Sequence, residues 1–284
     1  MRLFLITSLA LIAFAANSVL TRMALAGGDI GPALFTAIRL GSGLALLAAL
    51  VRSRPFAPGI LRQSFWRNGL ALLIYAAAFS WAYLMLDAGT GALLLFAGVQ
   101  VTVFAGALLG GERPGWGRWL GSALGLSGLA VLFLPGATAP DTLSALLMLV
   151  AAAGWGVYTL QGRGSPHPLA DTASSFLWAA GLGGVPLAVA AMTAGETASL
   201  AGIGLAVASG AVASGCGYAI WYTALRSLSA TLSAVAMTSV PLIAMGGGMV
   251  FLAETLTWRF VAGAALIAGG VLLAIRASGV KRPA

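Results

Sequence analysis

Residues 89–116 read GTGALLLFAGVQVTVFAGALLGGERPGW. The run from Gly89 to Leu109 carries no charged side chain, and a Gly-Gly-Glu-Arg-Pro-Gly sequence separates it from Trp116. About 20 consecutive apolar residues are needed for a helix to cross the hydrocarbon core of a bilayer, and glycine and proline mark turns. This stretch therefore predicts one complete transmembrane helix that ends in a tight connection.

The rest of the chain has the same character. Of its 284 residues, 60% are hydrophobic and 8% are charged, and the mean hydropathy is +0.99. Soluble domains carry roughly 25% charged residues, so this composition excludes a soluble globular protein. Ten spans of about 20 residues would use roughly 200 residues, which leaves no room for a domain outside the membrane.

We predict an all-α membrane protein with ten transmembrane helices. The first span follows Met1-Arg2 and also resembles a secretory signal with a cleavage site near Ala15. Because nine further spans follow it, we predict that it is retained as a helix. The ten apolar runs are Leu3–Ala24, Gly31–Val51, Trp66–Leu86, Gly89–Leu109, Trp116–Leu134, Thr142–Leu160, Ala170–Met192, Leu200–Tyr222, Ser229–Ala253 and Trp258–Ile275.

The charged residues predict the orientation of these spans. Cytoplasmic loops are enriched in lysine and arginine, and with both termini inside, all but three of the 15 basic residues are cytoplasmic. The three exceptions are Arg22, Arg39 and Arg259. The residues Asp29, Asp87, Asp141, Glu196 and Glu254 then lie outside. We therefore expect a multi-pass protein of the bacterial cytoplasmic (inner) membrane with both termini in the cytoplasm.

Composition also limits cofactors and partners. The only cysteine is Cys216 and the only histidine is His167, so neither a disulfide nor a Cys/His metal site is expected. The net charge of +8 is explained by topology, so we expect no nucleic acid. We predict no metal and no cofactor, with a small-molecule substrate and membrane lipids as partners. The oligomeric state stays open, a monomer included.

An internal repeat relates the two halves. The sequence Gly110–Trp116 after span four corresponds to Leu252–Trp258 after span nine, and both Glu112/Glu254 and Trp116/Trp258 are separated by 142 residues. Two five-span units follow, residues 1–136 and 137–284. Because five is odd, the second unit enters the membrane from the opposite face, which is the inverted repeat typical of secondary transporters.

The sequence resembles the drug/metabolite transporter superfamily, and within it the ten-span EamA-type exporters. The resemblance rests on the glutamates that close spans four and nine and on the glycine-rich spans five and ten. It also rests on Arg39 in span two, on the small residues that accompany Trp155 in span six, and on Ser239-Val240-Pro241 in span nine. One departure is that Val99 and Gln100 stand where Pro241 stands in the second half. The resemblance implies a secondary transporter of small organic metabolites.

Three polar side chains inside the spans are candidate substrate contacts. Arg39 lies about 12 Å into span two, where an unpaired arginine is costly and suggests function. It would bind a substrate carboxylate or, alternatively, join helices. Asn17 and Gln100 are amides inside apolar spans, where either a substrate, cavity water or a neighbouring helix must satisfy them.

Aromatic side chains form stripes on three spans. Tyr75, Phe79 and Tyr83 recur every four residues and share one face of span three, and Trp155 and Tyr158 share a face of span six. Tyr218 lies on span eight. Because lipid cannot satisfy a tyrosine hydroxyl, we predict that these residues line a cavity for a flat, partly apolar solute; helix packing is the alternative.

Glycines in two places predict different roles. Gly121 and Gly125 of span five, with Gly263 and Gly270 of span ten, predict close packing of these helices. Pro241 with Gly246, Gly247 and Gly248 predicts a hinge in span nine, because consecutive glycines soften a helix.

The resemblance implies an exporter, most simply of amino acids, that works by alternating access between the repeats. Arg39 and the aromatic stripes favour amino acids with aromatic or apolar side chains, and the family that the chain resembles includes exporters of that kind. A passive channel or facilitator, or an exporter of another metabolite or drug class, is the alternative. An intramembrane enzyme would need paired catalytic groups, and no histidine or carboxylate lies in mid-span. We therefore predict that the chain is not an enzyme.

Overall fold

The protein forms ten numbered helices in the part of the chain that the structure describes. That structure is a computed structural model and describes residues 1–51, 63–111, 113, 115–134, 139–162, 165–225, 227–228 and 236–277. The helices are α1 (Arg2–Ala26), α2 (Pro32–Val51), α3 (Gln63–Ala82), α4 (Ala88–Leu109), α5 (Trp116–Leu132), α6 (Thr142–Gln161), α7 (Pro168–Thr193), α8 (Leu200–Leu225), α9 (Val240–Leu252) and α10 (Trp258–Ala277).

The predicted all-α class is confirmed, with one helix at the position of each predicted span. Among the described residues, six helices are long and apolar enough to cross a membrane, namely α1, α2, α4, α6, α7 and α8. Large apolar side chains on their outer surfaces are exposed, as at Leu9 (53%) and Val189 (56%). Such surfaces are stable only against lipid, since water would penalise contiguous apolar area.

Two helices contain π-helical segments. In α7 the segment is Ala180–Gly184, and in α8 it is Ala208–Cys216. Both are rich in glycine, alanine and serine, which tolerate the altered backbone pitch. π-Helical turns occur frequently at functional sites, and the segment in α8 reaches the cavity described below.

The helices pack with the two-fold pattern expected of an inverted repeat. The third helix of the first half, α3, packs on α6 and α7, and its counterpart α8 packs on α1 and α2. The pairs α4 with α9 and α5 with α10 are each formed by equivalent helices. Each half therefore packs on the helices of the other. The predicted boundary between residues 136 and 137 and the repeat residue Glu112 lie outside the described residues.

Close packing of α5 on α10 through glycine is confirmed. A Cβ atom added at Gly121 would overlap the carbonyl oxygen of Gly270. One added at Gly128 would lie 2.9 Å from the carbonyl oxygen of Gly263. The backbones approach this closely only because both partners lack side chains.

The face that carries Asp29, Asp87, Glu196 and Glu254, here called the acidic face, is closed by contacts between the two halves. Ile30 and Ala198 form an antiparallel bridge between the α1–α2 and α7–α8 connections. The Ser199 backbone N–H donates to the Asp29 carbonyl oxygen at 2.7 Å, and its hydroxyl donates to Asp29 Oδ1 at 2.8 Å.

Two glutamates of the second half cap helices of the first. Glu196 Oε2 accepts a hydrogen bond from the Leu34 N–H at 3.0 Å, at the start of α2. Glu254 Oε1 accepts one from the Ala88 N–H at 2.7 Å, at the start of α4. The first N–H groups of a helix have no partner within it, and the helix dipole favours negative charge there. Both carboxylates therefore hold the halves together.

Two of the three basic residues that the predicted topology did not place in the cytoplasm, Arg22 and Arg259, bind helix ends. Arg22 Nη1 donates to the carbonyl oxygens of Tyr83 and Leu84, at 3.1 and 2.7 Å, just beyond the end of α3. Arg259 Nη1 donates to the Leu134 carbonyl oxygen after α5. These arginines satisfy carbonyl groups that have no partner within their own helix.

Candidate functional site

A cavity lies between the two halves at the middle of the helical layer. Asn17 is nine residues from the end of α1 at Ala26, and Tyr75 is seven from the end of α3 at Ala82. At 1.5 Å per residue the cavity is about 10–14 Å below the acidic face. The space that a water-sized sphere can occupy in it is about 30 Å³, which is room for about two water molecules, so an amino acid would fit only after the walls move apart.

Six helical or connecting segments supply the walls of the cavity. Its lining is mainly aromatic and aliphatic, with a few small polar groups. The lining residues are Phe14, Asn17, Ser18, Tyr75, Phe79, Leu95, Phe96, Trp155, Ala213, Ser214, Tyr218 and Met237.

The aromatic residues form one continuous cluster across both halves. The Trp155 ring stacks on Tyr218, with centroids 5.3 Å apart and an interplanar angle of 18°. Tyr75 lies 4.9 Å from Trp155 and 5.3 Å from Phe79, and Phe14 lies 5.8 Å from Tyr218. The predicted stripes of α3 and α6 therefore meet, together with Tyr218 of α8, at a single cavity.

A buried hydrogen-bonded network forms the polar corner of the cavity. The Ser209 hydroxyl donates to Asn17 Oδ1 at 2.6 Å, and Asn17 Nδ2 donates to the Tyr75 hydroxyl oxygen at 3.3 Å. Arg39 Nη2 donates to the same tyrosine oxygen at 2.9 Å. The network links α1, α2, α3 and the π-helical segment of α8, so the amide of Asn17 contacts another helix and also faces the cavity.

Arg39 lies behind the aromatic wall. It is 2% exposed, and its guanidinium carbon lies 5.1 Å from the Tyr75 ring centroid and 4.8 Å from that of Phe79. Its Nη1 has no hydrogen-bond partner within the described residues, where no carboxylate forms an ion pair with it. Arg39 is therefore a buried cation that is only partly satisfied, and Tyr75 separates it from the cavity.

The structure places Tyr83, Gln100 and Tyr158 away from the lining. Tyr83 is fully buried, and its hydroxyl donates to the Ala88 carbonyl oxygen at 3.2 Å. The Tyr158 hydroxyl donates to Thr172 Oγ1 at 3.1 Å. Gln100 is half-buried on α4. Of the nine predicted contacts, five line the cavity: Asn17, Tyr75, Phe79, Trp155 and Tyr218.

Several residues of the cavity could not be recognised from the sequence. Phe14, Leu95, Phe96 and Met237 gave no signal that separated them from ordinary apolar residues. The small-residue run ASGAVASGCG at 208–217 contains Ser209 and Ser214 and could have been recognised, because serine in a glycine-rich transmembrane segment often contacts another helix.

The predicted hinge residues lie in three different environments. Pro241 is in the first turn of α9, where its missing N–H costs no helical hydrogen bond. A Cβ at Gly247 would lie 2.7 Å from Val19 of α1, one at Gly248 would overlap Glu254 Oε2, and one at Gly246 would meet nothing within 4 Å. The helix is continuous through all three glycines.

The described residues contain no group of three or more His, Cys, Asp or Glu side chains that could hold a metal ion. The cavity is lined by aromatic rings, aliphatic groups, hydroxyls and one amide. The lining thus places apolar ring faces beside hydrogen-bonding groups, a combination that is typical of sites for small amphipathic molecules.

Comparison with known proteins extends these observations. Residues 142–276 match the model of the EamA-like transporter family. An uncharacterized protein of Pseudomonas aeruginosa is 47% identical over 274 residues, which cover 96% of this chain and 94% of that protein. A Streptantibioticus cattleyicolor protein named as a probable terminal-alkyne amino-acid exporter is 31% identical over 213 residues, or 74% of this chain and 72% of its own length.

A solved crystal structure has the same fold. It superposes with a TM-score of 0.63 at 22% identity and covers 95% of this chain and 99% of the other. The family match and the exporter-like relative agree with the ten-helix architecture and with the resemblance drawn from the sequence. The chain thus belongs to the EamA-like transporter family and is a multi-pass membrane transporter.

Proposed function

We propose that this transporter exports amino acids with aromatic or apolar side chains. The observation that carries the proposal is the cavity itself, in which stacked aromatic rings from both halves adjoin a hydrogen-bonded polar corner. A flat apolar side chain would pack against Trp155 and Tyr218, since offset ring pairs are favourable beyond their buried area. The amino-acid backbone would lie toward Asn17 and Tyr75.

The relative from Streptantibioticus supports the same substrate class, because its name describes an amino-acid exporter. The charge distribution supports one orientation of the chain. The basic residues favour cytoplasmic termini in a bacterial inner membrane, and in that orientation the acidic face would lie outside and close the cavity from that side.

We further propose alternating access. The cavity lies between the halves, and the Ile30–Ala198 bridge and both glutamate caps on the acidic face join one half to the other. A rocking motion of the halves would break these contacts together and open the cavity outward, as inverted repeats permit. A channel would need no such seal.

Counterflow in proteoliposomes tests the proposal. Vesicles preloaded with unlabelled phenylalanine or tryptophan are given the labelled amino acid outside, with no ion gradient. Transient accumulation above equilibrium is expected for the wild type, because an alternating carrier exchanges the two pools. Flux that neither saturates nor shows counterflow would indicate a channel, and no flux would remove these substrates.

A pair of tryptophan variants connects the flux to the cavity. Trp155→Ala removes the ring that stacks on Tyr218, and we expect it to reduce counterflow at least about tenfold. Trp116→Ala is the matched control, because Trp116 is 75% exposed at the start of α5. Equal counterflow in the two variants would contradict a substrate site at Trp155.

A further inference from the structure

The Tyr75 hydroxyl can form one further hydrogen bond, and only as the donor. A tyrosine hydroxyl carries two acceptor lone pairs and one donor hydrogen. Its oxygen accepts hydrogen bonds from Arg39 Nη2 and from Asn17 Nδ2, which fill both lone pairs. The hydrogen that remains can only be donated, and within the described residues Tyr75 donates to no acceptor.

The orientation of the Asn17 amide determines that its NH₂ group, and not its carbonyl oxygen, faces the Tyr75 hydroxyl. Its contact with Ser209 Oγ is 2.6 Å and its contact with Tyr75 is 3.3 Å. The short distance suits O–H···O, whose usual range is about 2.5–3.0 Å, and is too short for a typical N–H···O bond. The carbonyl oxygen therefore faces Ser209, and the NH₂ group donates to Tyr75.

Within the described residues, the Arg39 guanidinium behind Tyr75 has no carboxylate counter-ion. Arg39 is 2% exposed, and its buried Nη1 has no hydrogen-bond partner in that part of the chain. The acids that the structure describes lie in the connections or at helix ends, at Asp29, Asp87, Asp141, Asp171, Glu196 and Glu254. A buried cation that no carboxylate pairs is costly in a membrane, and an anion arriving in the cavity would reduce that cost.

We propose that Tyr75 is the specificity-determining residue of the cavity and that its hydroxyl donates to the substrate carboxylate, so that the site selects carboxylates over amines that lack one. Arg39 is a positioning residue in this arrangement. It holds the tyrosine oxygen and polarises the O–H bond, but the aromatic wall keeps it from the substrate. The inference rests on the proposed transport of amino acids and adds the group that recognises them.

The same geometry disfavours cationic solutes. An ammonium group is a donor without an acceptor, so it would face the Tyr75 hydrogen as one donor faces another. It would also approach the positive charge of Arg39 inside a low-dielectric layer. An aromatic amine would therefore gain the stacking contacts of the cavity, but its ammonium group would be repelled at the polar corner.

Ligand binding measured without transport tests the inference. The purified full-length protein in detergent is heated with 3-phenylpropionate, which has the carboxylate and no amine, or with phenethylamine, which has the amine and no carboxylate. Bound ligand raises the melting temperature by mass action. We expect 3-phenylpropionate to stabilise the protein at concentrations at least about tenfold lower than phenethylamine, as suits one hydrogen bond to a charged group.

The variant Tyr75→Phe keeps the ring and removes the hydroxyl. We expect it to bring the two ligands to within about twofold of each other. A structural role alone would weaken both ligands equally and leave their ratio unchanged. The matched control is Ser127→Ala, which deletes an exposed hydroxyl that bonds only to the Ala123 carbonyl oxygen of its own helix; it should keep the wild-type ratio.

Each outcome decides the inference separately from the transport proposal. Equal stabilisation of the wild type by both ligands, no stabilisation by 3-phenylpropionate, or an unchanged ratio in Tyr75→Phe would overturn the role of Tyr75. Selectivity for the carboxylate combined with no amino-acid counterflow would instead retain Tyr75 and overturn the proposed substrates.

Discussion

Gly246 and Gly248 lie two residues apart on α9 but face different surroundings. A Cβ at Gly248 would overlap Oε2 of Glu254, whose backbone N–H also donates to the Gly248 carbonyl oxygen at 3.1 Å. The chain turns back there through Ala253, a left-handed residue with φ 54°. At Gly246 the same atom meets nothing within 4 Å. The absence of a side chain is therefore needed for packing at only one of these positions.

We expect Gly248→Ala to lower the melting temperature in detergent, while Gly246→Ala leaves it unchanged. A methyl group at Gly248 would push the end of the Glu254 side chain aside and break its hydrogen bond from the Ala88 N–H. Losing that hydrogen bond costs about 1–3 kcal/mol, which corresponds to at least about 2 °C for a protein of this size. Differential scanning fluorimetry of the two variants measures the difference. Equal melting temperatures would show that Glu254 moves aside without cost.

The carboxyl group of Glu254 predicts a pH dependence. Burial raises the pKa of Glu254 above its usual range, opposed by the hydrogen bond from the Ala88 N–H. The groups that face it are Asp87, which raises the pKa further, and Arg22, which lowers it. The folded state thus favours the neutral carboxyl more than the unfolded state does. Stability should rise as the pH falls through the raised pKa and level off below the usual value of 4.5.

The melting temperatures of the wild type and of Glu254→Gln between pH 7.5 and 4.5 check this. We expect the wild type to gain stability relative to the variant as the pH falls, because glutamine does not titrate. Other groups titrate in both proteins and cancel in the difference. A difference that is constant with pH would mean that the pKa of Glu254 is the same in the folded and unfolded states.

At the scale of elements, the packing of α5 on α10 requires glycine at some positions of α5 but not at others. Gly121 faces the carbonyl oxygen of Gly270, whereas a Cβ at Gly125, one turn further, meets nothing within 4 Å. We expect Gly121→Ala to destabilise the protein by about 1–3 kcal/mol and Gly125→Ala to have no measurable effect. Thermal unfolding of both variants in the same detergent tests this. A stable Gly121→Ala variant would mean that the helices separate without penalty.

The hinge predicted in α9 is best tested at Gly246. Alanine there stiffens the helix without a clash, because a Cβ at this position meets nothing within 4 Å and alanine allows fewer backbone conformations than glycine. If α9 bends at this point during transport, Gly246→Ala should slow counterflow about two- to fivefold while the melting temperature is kept. An unchanged rate would remove Gly246 from the hinge.

Elements with a repeating signal could be predicted from sequence, and contacts between distant segments could not. The four-residue spacing of Tyr75 and Phe79 predicts that both share one face of α3, and both line the cavity. Tyr83 continues that spacing, but α3 ends at Ala82, so its ring turns toward the start of α4. The π-helical segment with Ser209 was missed, because small residues without periodicity do not indicate a change of helical pitch.

At the scale of the whole molecule, the acidic residues also show that sequence patterns do not predict contacts between distant segments. Their positions predicted topology, but not that Glu196 and Glu254 would cap helices of the other half. Those partners are 162 and 166 residues away in sequence, and no local pattern connects them. An inverted repeat nevertheless predicts contacts of this kind, because the helix ends of one half lie beside those of the other half.

The seal on the acidic face leads to a prediction about the whole transport cycle. Ile30 and Ala198 are directly opposite in an antiparallel bridge, where Cα atoms lie about 4.5–5.5 Å apart, within the range that a disulfide spans. Because Cys216 is the only native cysteine, the pair Ile30→Cys and Ala198→Cys is introduced together with Cys216→Ala. If the halves must part on this face, oxidation should abolish counterflow and a reductant should restore it.

Mass spectrometry of thiol-labelled protein measures the fraction of the double-cysteine variant that is cross-linked. Counterflow is then compared between samples whose cross-linked fraction is known. Each single-cysteine variant, treated with the same oxidant, controls for oxidative damage and should keep its counterflow. Full counterflow in protein that is completely cross-linked would show that the acidic face stays closed during transport. The two halves would then not alternate about this seal, and the substrate would have to leave the cavity by another route.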